Sequence, residues 1–171
     1  MLWRRAFAAL AAGLLMLAAG SCGFKPVYST GGSASDPVME KLQHLTIAPV
    51  PNRVGVRLRN ELERLFSPAA QPTTHTVHID LKSKSQVTAI EGDASVRRRN
   101  LQLTAEVRLV PAGGSLTIPE FKTTVRSNAG AEQLPSDFAT LVSEGAAEQR
   151  AVEQLAQRIR QWLALHFAAD K

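Results

Sequence analysis

Apolar and polar residues alternate strictly along two stretches of this chain. Between residues 76 and 90, and again between residues 97 and 110, nearly every second residue is apolar. This period of two predicts two long strands, each with one buried face and one face in water. A third candidate strand lies between residues 116 and 127. Gly92-Asp93 and Gly113-Gly114 predict the hairpin turns that join the three strands.

Apolar residues spaced three and four apart predict two amphipathic helices. The first begins near Asn52, which can cap it, and ends at Pro68. The second begins near Ser136 or Asp137 and runs for about eight turns. We expect it to pack through one continuous buried side, which comprises Phe138, Leu141, Val142, Gly145, Val152, Leu155, Ile159, Trp162 and Leu163.

A short alternating segment at residues 45–50 adds a strand before the first helix. The predicted order is therefore strand, helix, three strands, helix. A sheet with one apolar face and two amphipathic helices makes a two-layer sandwich. The predicted fold class is α/β, more closely α+β, with about four strands and both helices on one face of the sheet.

Charge favours one register for the first two long strands. One register sets Asp80 opposite Arg108 and Lys82 opposite Glu106, which pairs opposite charges. A register shifted by two residues sets Asp80 against Glu106 instead. Because an opposite-charge pair contributes about 0.2–1 kcal/mol to a sheet, we expect the first register.

The first 21 residues have the layout of a bacterial lipoprotein signal. Arg4 and Arg5 precede an apolar run of about 14 residues, which ends in small residues before Cys22. A helix of that length is too short to span the roughly 30 Å hydrocarbon core of a membrane. Ordinary secretion with an incidental cysteine is the alternative. We expect a signal peptide at 1–21, a lipidated N-terminus and flexible tether at 22–41, and one domain at 42–171.

Cys22 is the only cysteine, so no internal disulfide can form. As a lipoprotein cysteine it carries covalent diacylglycerol and fatty acyl groups, which hold the protein on a membrane surface, and no other cofactor is expected. Phe24 and Tyr28 follow closely, and they either contact lipid headgroups or a partner or pack on the protein's own domain. Removing Arg4 and Arg5 with the signal leaves 18 basic against 15 acidic side chains, which does not indicate nucleic-acid binding.

The sequence contains no motif typical of an enzyme. His75 and His78 are three residues apart on a predicted strand, so they point to opposite faces and do not converge on a metal ion. Cysteine clusters, paired metal-binding histidines and nucleophile motifs are lacking. We expect neither catalysis nor a metal site.

The run Arg97-Arg98-Arg99 is the strongest candidate binding feature. By alternation Arg97 and Arg99 fall on the apolar face, where unpaired guanidinium groups are unfavourable. We therefore expect the sandwich to end before them, so that the hairpin tip projects beyond the helices. With Lys84 on the partner strand, this tip forms a positive surface that matches phosphate or carboxylate groups. A solubilising cap on an exposed edge is the alternative.

The residues that begin at Cys22 resemble the start of the mature chain in the LptE family of lipopolysaccharide-assembly lipoproteins. They read Cys-Gly-Phe-Lys-Pro-Val-Tyr, where the family often has glycine, an aromatic residue and a Pro-x-Tyr-like tail. Residues 58–62 read Leu-Arg-Asn-Glu-Leu, which is similar to a Leu-Arg-Asn-x-Leu core in the family's first helix. The predicted order of elements is also similar to that of the family.

This resemblance implies a protein lipidated at Cys22 and held at the inner leaflet of the outer membrane, on its periplasmic side. It implies that the protein plugs the LptD β-barrel, assists its assembly, and binds lipopolysaccharide for insertion into the outer leaflet. Candidate contacts with lipopolysaccharide or the barrel are then Arg97, Arg98, Arg99 and Lys84, and candidate membrane-proximal or barrel contacts are Phe24 and Tyr28. An accessory lipoprotein of another envelope transport or cell-wall complex, or a lipid-binding module, remains the alternative.

Overall fold

The computed structural model describes residues 37–68, 72–89, 97–133 and 136–169, with residues 88, 89, 97 and 133 described by their backbone only. All of them belong to the compact unit Ala34–Lys171. The predictions for the signal peptide, for Cys22, Phe24 and Tyr28, and for the Gly92-Asp93 turn lie outside these residues.

The described chain contains three helices and four strands. Their order is α1 (Pro37–Gln43), β1 (Leu45–Ile47), α2 (Asn52–Phe66), β2 (His75–Ala89), β3 (Arg97–Pro111), β4 (Phe121–Gln133) and α3 (Asp137–Ala169). The predicted fold class is confirmed, with α1 as an additional helix. This helix has seven residues and one buried side chain, Leu42, so its apolar pattern is too short to predict. Its first five residues lie in the segment assigned to the tether.

The four strands form one sheet in the order β1-β2-β3-β4. β1 runs parallel to β2, and the crossover through α2 allows this pairing, whereas β2, β3 and β4 form an antiparallel meander. The long helices α2 and α3 pack on one face of the sheet. Fully buried side chains between the two layers include Leu58, Leu62 and Phe66 of α2, Leu155, Ile159 and Leu163 of α3, and Val77, Leu103, Val107 and Leu109 of the sheet.

The register predicted for β2 and β3 is wrong by two residues. Asp80 lies opposite Glu106, the pairing that charge disfavours. The reason is found on the third strand, where Lys122 Nζ lies 3.0 Å from a Glu106 carboxylate oxygen; Arg108 Nε lies 3.5 Å from the same oxygen. Glu106 is therefore paired directly from β4 and from its own strand, and Lys82 of β2 adds only a weaker attraction.

The continuous buried side predicted along α3 is confirmed only in part: Val152, Leu155, Ile159 and Leu163 are buried, but the buried side does not keep one direction. Its main line recurs every fourth position, through Ala147, Ala151, Leu155, Ile159, Leu163 and Phe167, with Val152, Ala156 and Ala164 buried beside it. Four residues turn a helix by about 400°, so each step rotates the buried side by about 40°. The 33-residue helix packs on β4, β3, α2 and α1, so different parts of its surface are buried along its length. Phe138, Leu141, Val142 and Trp162 are consequently exposed rather than buried.

Candidate functional site

The sheet has one face that no described helix covers, which we call the open face. It carries the even-numbered residues of β2, β3 and β4, because side chains alternate between the faces of a strand. Its described basic residues are Lys82, Lys84, Arg98, Arg108, Lys122 and Arg126, against the acidic residues Asp80, Glu106 and Glu132. The open face is therefore polar and net positive.

Three of these basic residues, Lys82, Lys84 and Arg126, form what we call the cationic patch. Lys82 and Arg126 both lie opposite Thr104 of β3, on either side of it. Their backbones are therefore about 10 Å apart, and Lys84 lies about 7 Å further along β2. All three side chains are exposed. The patch thus spans three strands at a distance that one multivalent anion can bridge.

The other basic residues of the open face have acidic partners. Arg108 and Lys122 share Glu106, and a hydrogen bond from Lys122 is the main cause that lowers the pKa of that carboxyl group. Arg98 lies 3.6 Å from Glu132. Within the described ranges the cationic patch makes no such direct ion pair, although Lys82 adds a weaker electrostatic attraction to Glu106. Most of its positive charge therefore remains available to a ligand.

Polar groups lie between the cations of the patch. Gln102 and Asn128 continue the row that begins at Lys84, and the Thr104 hydroxyl lies between Lys82 and Arg126. Amide and hydroxyl groups donate hydrogen bonds to oxyanions, ammonium groups add point charges, and a guanidinium can bind two oxygens at once. The arrangement fits phosphate or carboxylate groups of a larger partner.

The structure separates the predicted arginine run. Arg98 projects from the open face, whereas Arg99 projects from the opposite face and lies 2.9 Å from Glu144 of α3. The side chain of Arg97 is outside the described residues. The expectation that the sandwich ends before this point is therefore wrong on β3, because α3 extends past it and Glu144 neutralises the half-buried guanidinium. Of the predicted cluster, Lys84 alone belongs to the cationic patch.

Sequence alternation already contained the signal for Lys82 and Arg126, since both lie at polar positions of predicted strands. The prediction chose the arginine run as the binding feature instead, because three consecutive cations are conspicuous in a linear sequence. In a sheet, consecutive residues point to opposite faces, and cations two residues or two strands apart are the neighbours.

A second feature missed by the sequence prediction is an exposed group at the start of α3, which we call the apolar stripe. It comprises Phe138, Leu141 and Val142, which are 75%, 67% and 55% exposed. The adjacent Ser143 accepts a hydrogen bond from the backbone amide of Glu132, which holds this end of α3 to β4. A contiguous exposed apolar group of this kind is typical of a contact surface.

A histidine–carboxylate cluster lies at the other end of α3. His75 and His166 each lie 3.2 Å from a different oxygen of Glu120, and the ring of His166 stacks on Phe121. Burial raises the pKa of Glu120, but hydrogen bonds and charge from His166 and His75 lower it more, so that it lies below its usual value. His75 and His78 point to opposite faces, as predicted.

The described residues contain no group of histidine, cysteine and acidic side chains placed to hold a metal ion. In the same part of the chain, every helix is too short or too polar to cross a membrane.

Three solved structures with the same fold are described as lipoproteins. One from Caulobacter crescentus has a TM-score of 0.66 at 17% identity, covering 79% of this chain and 98% of its own. A minor lipoprotein from Acinetobacter baumannii has a TM-score of 0.51 at 14% identity, covering 71% of this chain and 92% of its own. Lipoprotein B from Nitrosomonas europaea also has a TM-score of 0.51 at 14% identity, covering 73% and 83%. At these identities the likeness shows the fold alone.

No curated protein matches the chain significantly. A family model does match it, and that model is described as LptE, lipopolysaccharide-assembly. The match extends over residues 42–163, well over half of the chain, and includes every described strand and the helices α2 and α3 up to Leu163. The chain therefore belongs to the LptE family of lipopolysaccharide-assembly proteins.

Proposed function

We propose that this protein is an outer-membrane lipoprotein that plugs the LptD β-barrel, assists its assembly and takes part in inserting lipopolysaccharide into the outer leaflet. Family membership supports a role in lipopolysaccharide assembly. The structural observation that carries the proposal is the cationic patch of Lys82, Lys84 and Arg126, which is exposed and makes no direct ion pair among the described residues.

The patch is suited to the phosphate groups of lipopolysaccharide. Phosphates on lipid A are multivalent anions, and several cations on one face bind such a group better than an isolated cation does. Because the patch is exposed, its attraction for an anion falls as salt screens the charges. Acidic side chains in the barrel lumen are the second anionic partner that the same patch fits.

The open face is also suited to the inside of a barrel. Lumens of outer-membrane barrels are polar, so a plug needs a polar surface against the wall. Outward-facing residues of β2, β3 and β4 meet this requirement, while most apolar side chains on the other face of the sheet are covered by α2 and α3; Val87 is an exception. Nothing in this role requires a catalytic step.

Lipidation at Cys22 completes the proposal. Diacylglycerol and fatty acyl groups on this residue anchor the protein to the inner leaflet of the outer membrane, since two or more acyl chains give stable attachment. Replacing Cys22 by alanine should shift the protein from the membrane fraction to the soluble periplasmic fraction. A variant that stays in the membrane fraction would show that another feature holds it there.

Co-isolation and depletion test the proposal as a whole. Purified from outer membranes, the full-length protein should bring with it a large β-barrel in comparable molar amount. Depleting it should lower both the folded barrel and the lipopolysaccharide at the cell surface. If the barrel assembles and lipopolysaccharide reaches the surface normally after depletion, the proposed function is wrong.

A further inference from the structure

Most of β2 lies at an edge of the described sheet. β1 pairs only with His75, Thr76 and Val77, and the amide of Ala48, just after β1, donates to the carbonyl of Val77 at 3.0 Å. Among the described residues, no strand lies beside β2 from Ile79 onward. Twelve further residues of β2 continue past Val77, so the edge is long compared with β1.

The direction of the free backbone groups follows from Val77. Its carbonyl faces β1, and successive residues of a strand direct their N–H and C=O groups to alternate sides. Odd-numbered residues of β2 therefore face outward, and even-numbered residues pair with β3. The outward-facing residues past β1 are Ile79, Leu81, Ser83, Ser85 and Val87, an edge of about 30 Å.

The opposite edge of the sheet, on β4, is closed by side chains of α3. Arg150 donates to the carbonyl of Gly130 at 3.0 Å, and Arg158 donates to the carbonyl of Arg126. Ser143 accepts from the amide of Glu132 in the same way. Natural proteins commonly cover edges so that they do not pair with other chains. No such cover of β2 exists within the described residues.

Both sides of the β2 edge have room for another strand. On the helix face Ser83 and Ser85 are exposed and Val87 is 56% exposed, because the helices leave this part of β2 uncovered. The apolar core therefore thins along this part of β2. On the open face the edge carries Lys82 and Lys84. An added strand would meet small or apolar groups on one side and cations on the other.

We propose that β2 binds an extended segment of a partner polypeptide as a further strand. The segment carries acidic residues at alternate positions, facing Lys82 and Lys84, and small or apolar residues between them, facing Ser83, Ser85 and Val87. Main-chain hydrogen bonds supply affinity in this mode, and the alternate side chains supply specificity. This inference goes beyond the proposed function, since it holds for whichever polypeptide provides the segment.

In the register that uses the whole edge, charge favours such a partner over a second copy of this chain. A symmetric antiparallel pair along residues 79–87 is centred on Ser83. It sets Lys82 of each copy opposite Lys84 of the other, and like charges directly opposite each other destabilise a sheet. An acidic strand replaces both repulsions with attractive pairs.

The test uses a synthetic octapeptide of alternating glutamate and valine, with blocked ends, and amide hydrogen exchange on the full chain. In the free protein the outward amides of Leu81, Ser83 and Ser85 should exchange rapidly, and the peptide should protect them. An octapeptide of alternating lysine and valine should bind at least about tenfold more weakly. Protection of these amides without peptide would overturn the proposal, because another part of the chain or a second copy would then occupy the edge.

Two variants at one position separate backbone pairing from side-chain effects. Ser83→Pro removes an outward N–H while leaving the pairing with β3 intact, since proline is tolerated at edge positions. It should lower affinity for the glutamate–valine peptide by about tenfold, whereas Ser83→Ala should bind as the parent does. Equal peptide affinity of the two variants would overturn the proposal. Neither variant touches the cationic patch, so lipopolysaccharide binding should be unchanged, and failure of this inference leaves the proposed function standing.

Discussion

The guanidinium of Arg99 on β3 lies 2.9 Å from the carboxylate of Glu144 on α3. This pair joins the far end of the long hairpin to the early turns of the longest helix. Nε of Arg99 is buried and has no hydrogen-bond partner among the described residues, so the pair with Glu144 is its main compensation there. The contact also explains how a basic residue is accommodated at an inward-facing position of the sheet.

Replacing Glu144 by alanine should lower the free energy of unfolding by about 1 kcal/mol, because it leaves a half-buried guanidinium without its partner. Urea unfolding of the full-length protein measures this loss. The double variant Arg99→Leu with Glu144→Ala should lose less than the sum of the two single variants, since contacting residues are coupled. Strict additivity would mean that the pair contributes nothing.

Two glycines should respond to alanine in opposite directions. A Cβ at Gly145 meets no atom within 4 Å, so Gly145→Ala should stabilise α3 by about 0.5–1 kcal/mol through helix propensity. A Cβ at Gly55 would lie 2.6 Å from Cγ1 and 3.0 Å from the carbonyl oxygen of Val50. Gly55→Ala should therefore destabilise the protein, by about 1–3 kcal/mol. The stability of both variants is measured by thermal unfolding. A loss of stability in Gly145→Ala would contradict the exposed position of that residue.

We expect Glu120 to stabilise the fold by an amount that is lost in acid. Its pKa in the folded protein lies below the ordinary value of 4.5, so its ionised form stabilises the fold. That contribution is complete above about pH 4.5 and is lost as the pH falls through the lowered pKa. Glu120→Gln should therefore be less stable than the parent at about pH 7, and the gap should close at about pH 3. Urea unfolding at both pH values measures the gap, and a gap that widens in acid would contradict this assignment.

We expect substitutions in the apolar stripe to weaken binding of the partner without lowering the stability of the protein. Phe138→Ser with Leu141→Ser should leave the unfolding free energy within about 0.5 kcal/mol of the parent, because both side chains are exposed. The same variant should co-isolate less of the partner if the stripe is a contact surface. Leu155→Ala is the matched control, since this residue is fully buried and its truncation should cost about 2–5 kcal/mol. If the serine variant co-isolates as much of the partner as the parent does, the apolar stripe is an ordinary exposed surface and not a contact surface.

The predictable parts of the fold were those that depend on local periodicity. Alternation located β2 and β3 to within a residue or two, and the spacing of leucines located α2. Register was not predictable from two strands, because the cation that neutralises Glu106 comes from Lys122 on a third. The buried side of α3 was not predictable either, because it turns with the elements that the helix contacts.

The candidate site, like the fold, could be predicted only where it depends on the local sequence pattern. Lys84 was predicted as part of the arginine-rich hairpin tip, but its neighbours Lys82 and Arg126 required the register of three strands. Glu120 lies 45 residues from His75 and 46 from His166, so only the folded chain reveals their contact. Such long-range groupings depend on tertiary packing, which a periodic pattern does not specify.

Binding of purified lipopolysaccharide to a triple alanine variant of the cationic patch tests the central claim most directly. Lys82→Ala, Lys84→Ala and Arg126→Ala together should reduce affinity by at least about tenfold at low salt, with the difference shrinking at high salt. The matched control replaces Arg53, Arg57 and Arg64 by alanine, which removes the same charge from the exposed surface of α2. The account predicts a loss in the patch variant alone; equal affinities of the two variants would contradict it.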